Sequence, residues 1–192
     1  MKEYVRKRKT KKSTNDAKRS GGVHRKDGEA SESHIPCSNA NAGLYHYLES
    51  EYLKMRYMLD TNIVIYLTTD WDSLSNDVRA IIKDYNNLLY ISAETTRELI
   101  VGYRKKSFAI KQWKSCEELI DSLSDYYHLE ILPIDKNVAK VHSRLEIKSD
   151  HKDPSDHTII SHAIATKMPL ISSDEKFPFY QKQGLQLIYN KK

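Results

Sequence analysis

The stretch "MRYMLDTNIVIYL", residues 55–67, carries one acidic side chain, Asp60, between two apolar runs. "YML" (57–59) reads as a short strand, and "IVIYL" resumes the apolar character after an Asp-Thr-Asn turn. A carboxylate at that junction sits at the rim of a core, where an unpaired charge is costly. Its placement calls for a function. The rest of the chain says what kind of core it borders.

Downstream, strand and helix signals alternate. "LSNDVRAIIKDY" (74–85) has Val78, Ile81, Ile82 and Tyr85 at helical spacing, and "LLYIS" (88–92) is a strand ending in Ser92. Ser92 is a good N-cap for the helix "AETTRELIVGYRKK" (93–106), whose last turn holds Arg104, Lys105 and Lys106 against the negative end of the dipole. "WKSCEELIDSLSDYY" (113–127) is a further helix, "LEILPI" (129–134) a strand, and "NVAKVHSRL" (137–145) a helix. "DPSDHTIISHAIATK" (153–167) begins with Asp153 as N-cap and Pro154 at the first helical position, followed by the strands "PLIS" (169–172) and "LQLIY" (185–189). Such alternation predicts an α/β domain with a mostly parallel sheet.

Composition divides the 192 residues in two. Residues 1–54 hold 12 of the 31 Lys and Arg and 7 of the 26 Asp and Glu, which leaves 19 of each sign to 55–192. The formal charge of +5 therefore lies in the first segment, and the body is neutral. Residues 1–43 are rich in Lys, Arg, Ser, Asn and Gly and poor in periodic apolar residues, so they are expected to be disordered. Within 44–54, Leu44, Leu48 and Tyr52 allow a short helix. The basic segment 1–54 is read as an extension, or as an upstream start ahead of a true beginning at Met55. No apolar run approaches the roughly 20 residues of a membrane span. Cys37 and Cys116 have no metal-ligand spacing and read as free thiols of a reducing cytoplasm.

In an open parallel sheet the functional crevice lies beyond the carboxyl ends of the strands. Asp60 ends the first strand, and Asp174 follows "PLIS". Asp156 lies in the first turn of the helix before that strand, and Glu98 in the helix after "LLYIS". All four are expected at one edge of the sheet. Two carboxylates about 5 Å apart repel by roughly 3 kcal/mol at an effective dielectric of 20. Four together require a cation to stay ionised, and Mg²⁺ or Mn²⁺ suits oxygen ligands and leaves places for water and phosphate. Such a site hydrolyses phosphodiesters. Each acid also has a plainer reading: Asp153 and Asp156 as helix-start residues, Glu98 as a solvated helix residue, Asp174 as a turn residue. His151, His157 and His162 lack a base–nucleophile partner and are expected at surface or cap positions.

Taken together, "MRYMLDTNIVIYL", the Glu after "YIS", "HKDPSDHTIISHAIA" and "LISSDEKF" resemble the PIN-domain family, most closely its VapC-type toxins. The likeness covers about 55–192. It implies a Rossmann-like three-layer sandwich and a Mg²⁺- or Mn²⁺-dependent ribonuclease, the toxin of a toxin–antitoxin pair. It also implies homodimers and a small cognate antitoxin. Carried over by position, Asp60, Glu98, Asp156 and Asp174 match the family's acidic quartet. Asp153 matches an additional acid of the Asp-Pro-x-Asp subgroup, and Thr61 and Asn62 the turn that supports the first Asp. Asp60, Asp156 and Asp174, with Asp153, are then metal ligands, and Glu98 orients the water. Arg104, Lys105 and Lys106 are candidate contacts to the RNA backbone. Ser155, His157 and Arg97 depart from the family's usual bulky apolar residue, Arg and Trp at those places. Two other classes fit less of the sequence. A catalytically inactive PIN-fold module would use the groove only to dock a protein. A receiver would want adjacent acids at the first strand end, and a haloacid-dehalogenase-like phosphotransferase a second Asp two residues on, where Asn62 stands.

Overall fold

The structure is a computed structural model, and it describes residues 54–108 and 112–191. The expectations for the basic extension, for a helix over 44–54 and for Cys37 lie outside the described residues. Every element below belongs to the unit Met55–Lys192.

Five parallel strands form one sheet. β1 is Arg56–Leu59, β2 Leu88–Ser92, β3 Leu129–Leu132, β4 Leu170–Ser172 and β5 Leu187–Tyr189. Their order across the sheet is β3-β2-β1-β4-β5, with every pair parallel. The helices α1 (Thr61–Thr69), α2 (Asn76–Lys83), α3 (Ala93–Lys105), α4 (Cys116–Asp125), α5 (Lys136–His142) and α6 (Pro154–Thr166) connect and cover the strands, giving a three-layer α/β sandwich. Single 3-10 segments, Trp71–Ser73 and Phe177–Gln183, complete the connections. No helix among the described residues is long and apolar enough to cross a membrane.

Side chains alternate across a strand, so the register sorts the core into two layers. Met58 pairs with Tyr90 on one side and Leu170 on the other, and Leu170 pairs with Leu187. Met58, Tyr90 and Leu170 pack in a single cluster with Ile159, Ile160 and Ala163 of α6 and with Phe177 and Tyr180, and Leu187 packs against it. The alternate positions Leu59, Leu89, Ile91 and Ile171 are buried too, as are Ile63, Val64 and Leu67 of α1, Val78 and Ile82 of α2 and Leu119 and Leu123 of α4. Strands covered on both faces read as continuous apolar runs, which is why "YML" and "LLYIS" show no polar alternation.

Local chemistry sets the helix ends. Ser75, Ser92, Ser115, Asp135 and Asp153 are N-caps whose side chains accept backbone N–H bonds of the first turn. Helix boundaries follow the expected ones to within a few residues; β2 has the expected bounds, β1 gains Arg56, and β3, β4 and β5 are shorter than expected at one end. "LEILPI" stops pairing at Leu132, and "LQLIY" begins at Leu187. One reading changes in kind. The Asp-Thr-Asn segment is not a separate turn: Asp60 is itself an N-cap, accepting from Thr61 N, and α1 starts at Thr61. α6 is buried nearly all round, with Ser155, His157, Ser161 and His162 inside along with its aliphatic residues.

Candidate metal centre

β1 is the strand at which the chain reverses direction across the sheet, since β2 and β3 extend one way and β4 and β5 the other. The crevice between the carboxyl ends of β1 and β4 is therefore the topological switch point. Asp60 occupies it. Its backbone N–H donates to Ile171 O at 3.0 Å, which ties the end of β1 to β4. The side chain is 2% exposed. Its Oδ1 accepts from Thr61 N at 2.7 Å, and its Oδ2 accepts from the Ser172 hydroxyl at 2.7 Å.

Thr61 also reaches Glu98, its Oγ1 donating to Oε2 at 2.5 Å. A single residue thus joins the α1 N-terminus to the second turn of α3. Asn62, the other residue of the expected supporting turn, is exposed. Glu98, Asp153 and Asp156 each offer a carboxylate oxygen, and these oxygens lie within 4.8 Å of one another. Asp153 reaches this group from the N-cap of α6, with its Oδ1 accepting from Ser155 N at 2.9 Å, while Asp156 stands three residues on. Asp174 borders the group without joining it. Its Oδ1 accepts from Lys176 N at 2.7 Å, and its own N–H donates to Ser172 Oγ.

The electrostatics record the crowding. Burial, then the charges of Asp156 and Glu98, push the Asp60 carboxyl up to about 7 against the pull of Ser172 and Thr61. Glu98 is raised by burial first, then by Asp156 and Asp153. Asp156 is raised by burial, then by Asp153 and Asp174, while a hydrogen bond from His151 lowers it. Burial and mutual repulsion disfavour the charged forms of these three acids, a cost that a positive charge among them would relieve. All of the converging donors are carboxylate oxygens, the set that a hard divalent cation takes. On these observations the residues fit a hard divalent cation.

The cations named from sequence lie elsewhere. Arg104, Lys105 and Lys106 are at the far end of α3, roughly 9–12 Å along the helix from Glu98 at 1.5 Å per residue. Arg97 is the guanidinium beside the acids. Its Nη2 donates to Glu94 Oε1 at 2.6 Å and to Ser155 Oγ at 2.7 Å, bridging α3 to the start of α6. Two departures from the family pattern, Arg97 and Ser155, therefore meet each other. The three histidines are corrected as well: His151, His157 and His162 are buried rather than placed on the surface. His162 packs its Nδ1 3.0 Å from Ser92 Oγ, and burial lowers its basicity. The signal for this lies in the helical stripe itself, because positions 159, 160 and 163 are core and 162 adjoins them. Ser172, which holds Asp60, carries no signal beyond its place at a strand end.

The model of the PIN domain family matches residues 57–183. Similar solved structures include VapBC2 from Rickettsia felis bound to a DNA fragment from its promoter, at 27% identity and TM-score 0.53, covering 71% of this chain and 100% of that one. VapBC-1 from nontypeable Haemophilus influenzae is 24% identical with TM-score 0.55, covering 72% and 100%. DNA-bound VapBC from Salmonella typhimurium is 20% identical with TM-score 0.51, covering 71% and 99%. At those last two identities the likeness is one of fold. No curated protein matches the chain. The sheet order, the switch-point aspartate and the match over 57–183 agree, and the chain belongs to the PIN-domain family of nucleases, with VapC-type toxins as its kin.

Proposed function

We propose that the protein is a Mg²⁺- or Mn²⁺-dependent endoribonuclease, the toxin of a toxin–antitoxin pair. The observation that carries this reading is the convergence of Glu98, Asp153 and Asp156 beside the buried Asp60. Asp60, Asp153 and Asp156 would hold the cation. Bound there, it would polarise a phosphoryl oxygen of the RNA and lower the pKa of a water. Glu98, with one oxygen fixed by Thr61, orients that water and takes its proton. Asp174, positioned by Ser172 and the Lys176 amide, adds negative charge on the β4 side. Arg97, held by Glu94 and Ser155, meets the RNA backbone at the rim, and Arg104, Lys105 and Lys106 extend the same phosphate track along α3.

The relatives are VapBC structures, which supports a small antitoxin as partner. We take the working form to be a cytoplasmic homodimer. The test is cleavage of total RNA by the purified chain with Mg²⁺ or Mn²⁺, set beside the same chain in chelator and beside Asp60→Asn. Metal-dependent cleavage lost in Asp60→Asn is the expected result. Equal cleavage by both proteins overturns the assignment. Binding of a partner without metal-dependent activity on any RNA would instead assign a docking module.

A further inference from the structure

One buried polar ring has no part in that chemistry. His151 is 1% exposed, in the loop that leads into α6. Three rings wall it in: His157 with centroids 4.7 Å apart, Tyr180 at 5.6 Å and Phe177 at 5.9 Å. Both of its nitrogens are engaged. Nδ1 lies 2.9 Å from the Tyr180 hydroxyl, and Nε2 lies 2.9 Å from Asp156 Oδ2.

The direction of this chain of bonds follows from its ends. An ionised carboxylate can only accept, so the hydrogen between His151 and Asp156 Oδ2 belongs to Nε2. In the tautomer with its proton on Nε2, Nδ1 accepts from the Tyr180 hydroxyl. The Tyr180 oxygen in turn accepts from the Lys148 backbone N–H at 3.4 Å. The backbone is braced too, since His157 Nε2 lies 3.0 Å from the His151 carbonyl, which can only accept.

We propose that His151, oriented by Tyr180, is a positioning residue that occupies Asp156 Oδ2 and turns Oδ1 to the divalent cation as a single-oxygen ligand. The inference rests on the reading of this site as a metal centre. Asp156 shares its space with carboxylate oxygens of Glu98 and Asp153, while the His151 ring engages its Oδ2 at 2.9 Å. A donor on the rear oxygen leaves the other oxygen as the atom free to meet a cation. It also removes the rotational freedom that a bare carboxylate would lose on binding. Partners of this kind behind a ligand typically change metal affinity by about 10–100-fold when removed.

The experiment measures Mn²⁺ binding by the full chain without RNA, from the electron paramagnetic resonance signal of free Mn²⁺, with thermal melts recorded alongside. His151→Leu should bind Mn²⁺ at least tenfold more weakly than the wild type. His151→Gln, which can return an N–H to the Nε2 position, should recover most of that loss. Tyr180→Phe keeps the ring and removes the hydroxyl, and should weaken binding severalfold. A merely structural histidine would lower the melting temperature in all three and leave the affinity of the folded protein unchanged. Wild-type affinity in His151→Leu overturns the proposal, as does a His151→Gln no better than His151→Leu. Should His151→Leu fail to fold, wild-type affinity in Tyr180→Phe overturns it. If the wild type itself binds no Mn²⁺, the metal-centre reading fails instead.

Discussion

Asp60 and Asp153 both serve as N-caps of helices that begin at the carboxyl edge of the sheet. Asp60 caps α1 and accepts from Thr61 N; Asp153 caps α6 and accepts from Ser155 N. Both have extended backbone and a first-turn N–H on the side chain, yet Asp60 is 2% exposed at the switch point while Asp153 is open to solvent. Burial drives the Asp60 carboxyl up to about 7, whereas Asp153 adds its charge from the rim and raises Asp156 and Glu98. A cap on the surface stabilises a helix. The same cap placed inside a crevice strains the metal-free protein and readies it for a cation.

Asp60→Asn tests this contrast hardest. The amide keeps the size and an acceptor for Thr61 N but loses the charge. Removing a buried metal ligand should cost several kcal/mol of transition-state stabilisation, roughly a thousandfold in RNA cleavage. The metal-free variant should nonetheless be more stable than the wild type at pH 8, by up to about 4 kcal/mol in denaturant unfolding, because the charge that burial penalises is gone. A variant that is both inactive and less stable would place Asp60 on the same footing as Asp153.

The pH dependence has a definite sign. Asp60 titrates at about 7 when folded against 3.8 when unfolded. Between those values the folded chain holds a proton that the unfolded chain has released, so the stability of the metal-free protein falls as pH rises, and the fall is complete above pH 7. The raised carboxyls of Glu98 and Asp156 act in the same direction. Melting temperatures in chelator should therefore decline from pH 5 to 8. Mn²⁺ should reverse the decline, and the slope should be smaller in Asp60→Asn. A rising curve in chelator would contradict the account of the crevice.

Asp153 should respond in two separable parts. Asp153→Ala loses the cap and the charge, at about 1 kcal/mol in stability for the cap. Asp153→Asn keeps the cap and loses only the charge. Both should weaken Mn²⁺ binding to a similar extent, about tenfold, while only the alanine variant melts earlier. The smallest effect belongs to Arg104, Lys105 and Lys106, exposed at the end of α3. Replacing all three by Ala should leave stability within about 0.5 kcal/mol for each. It should flatten the salt dependence of single-stranded RNA binding by up to about 0.7 in log–log slope for each phosphate no longer neutralised.

Much of the scaffold is legible in the sequence because it rests on near neighbours. A continuous apolar run marks β2 and a 3.6-residue pattern α2, Ser92 and Asp153 announce helix starts, and Pro154 fits the first helical position. The carboxylate at the end of β1 is equally plain. Less plain is the character of "DTN", since an aspartate before an apolar run serves a turn or a helix cap alike, and packing of Ile63, Val64 and Leu67 decides for the helix. The histidines escape a reading of sequence for a related reason. A polar ring is driven to the surface unless its nitrogens find partners, and the Nδ1 partners of His151 and His162 lie 29 and 70 residues away in Tyr180 and Ser92.

The order of strands and helices, the edge at which the acids fall, and the family to which four spaced motifs belong all follow from the chain's residues read in line. Those depend on backbone propensity, side-chain period and capping, which act over a few residues. Only the folded chain decides that Ser172 holds Asp60 across 112 residues, that Arg97 meets Ser155, and that Glu98, Asp153 and Asp156 share a space while Asp174 turns to a backbone amide. The energy of a carboxylate depends on the water it loses and the charges it faces, and in a parallel sheet both come from segments far away in the chain.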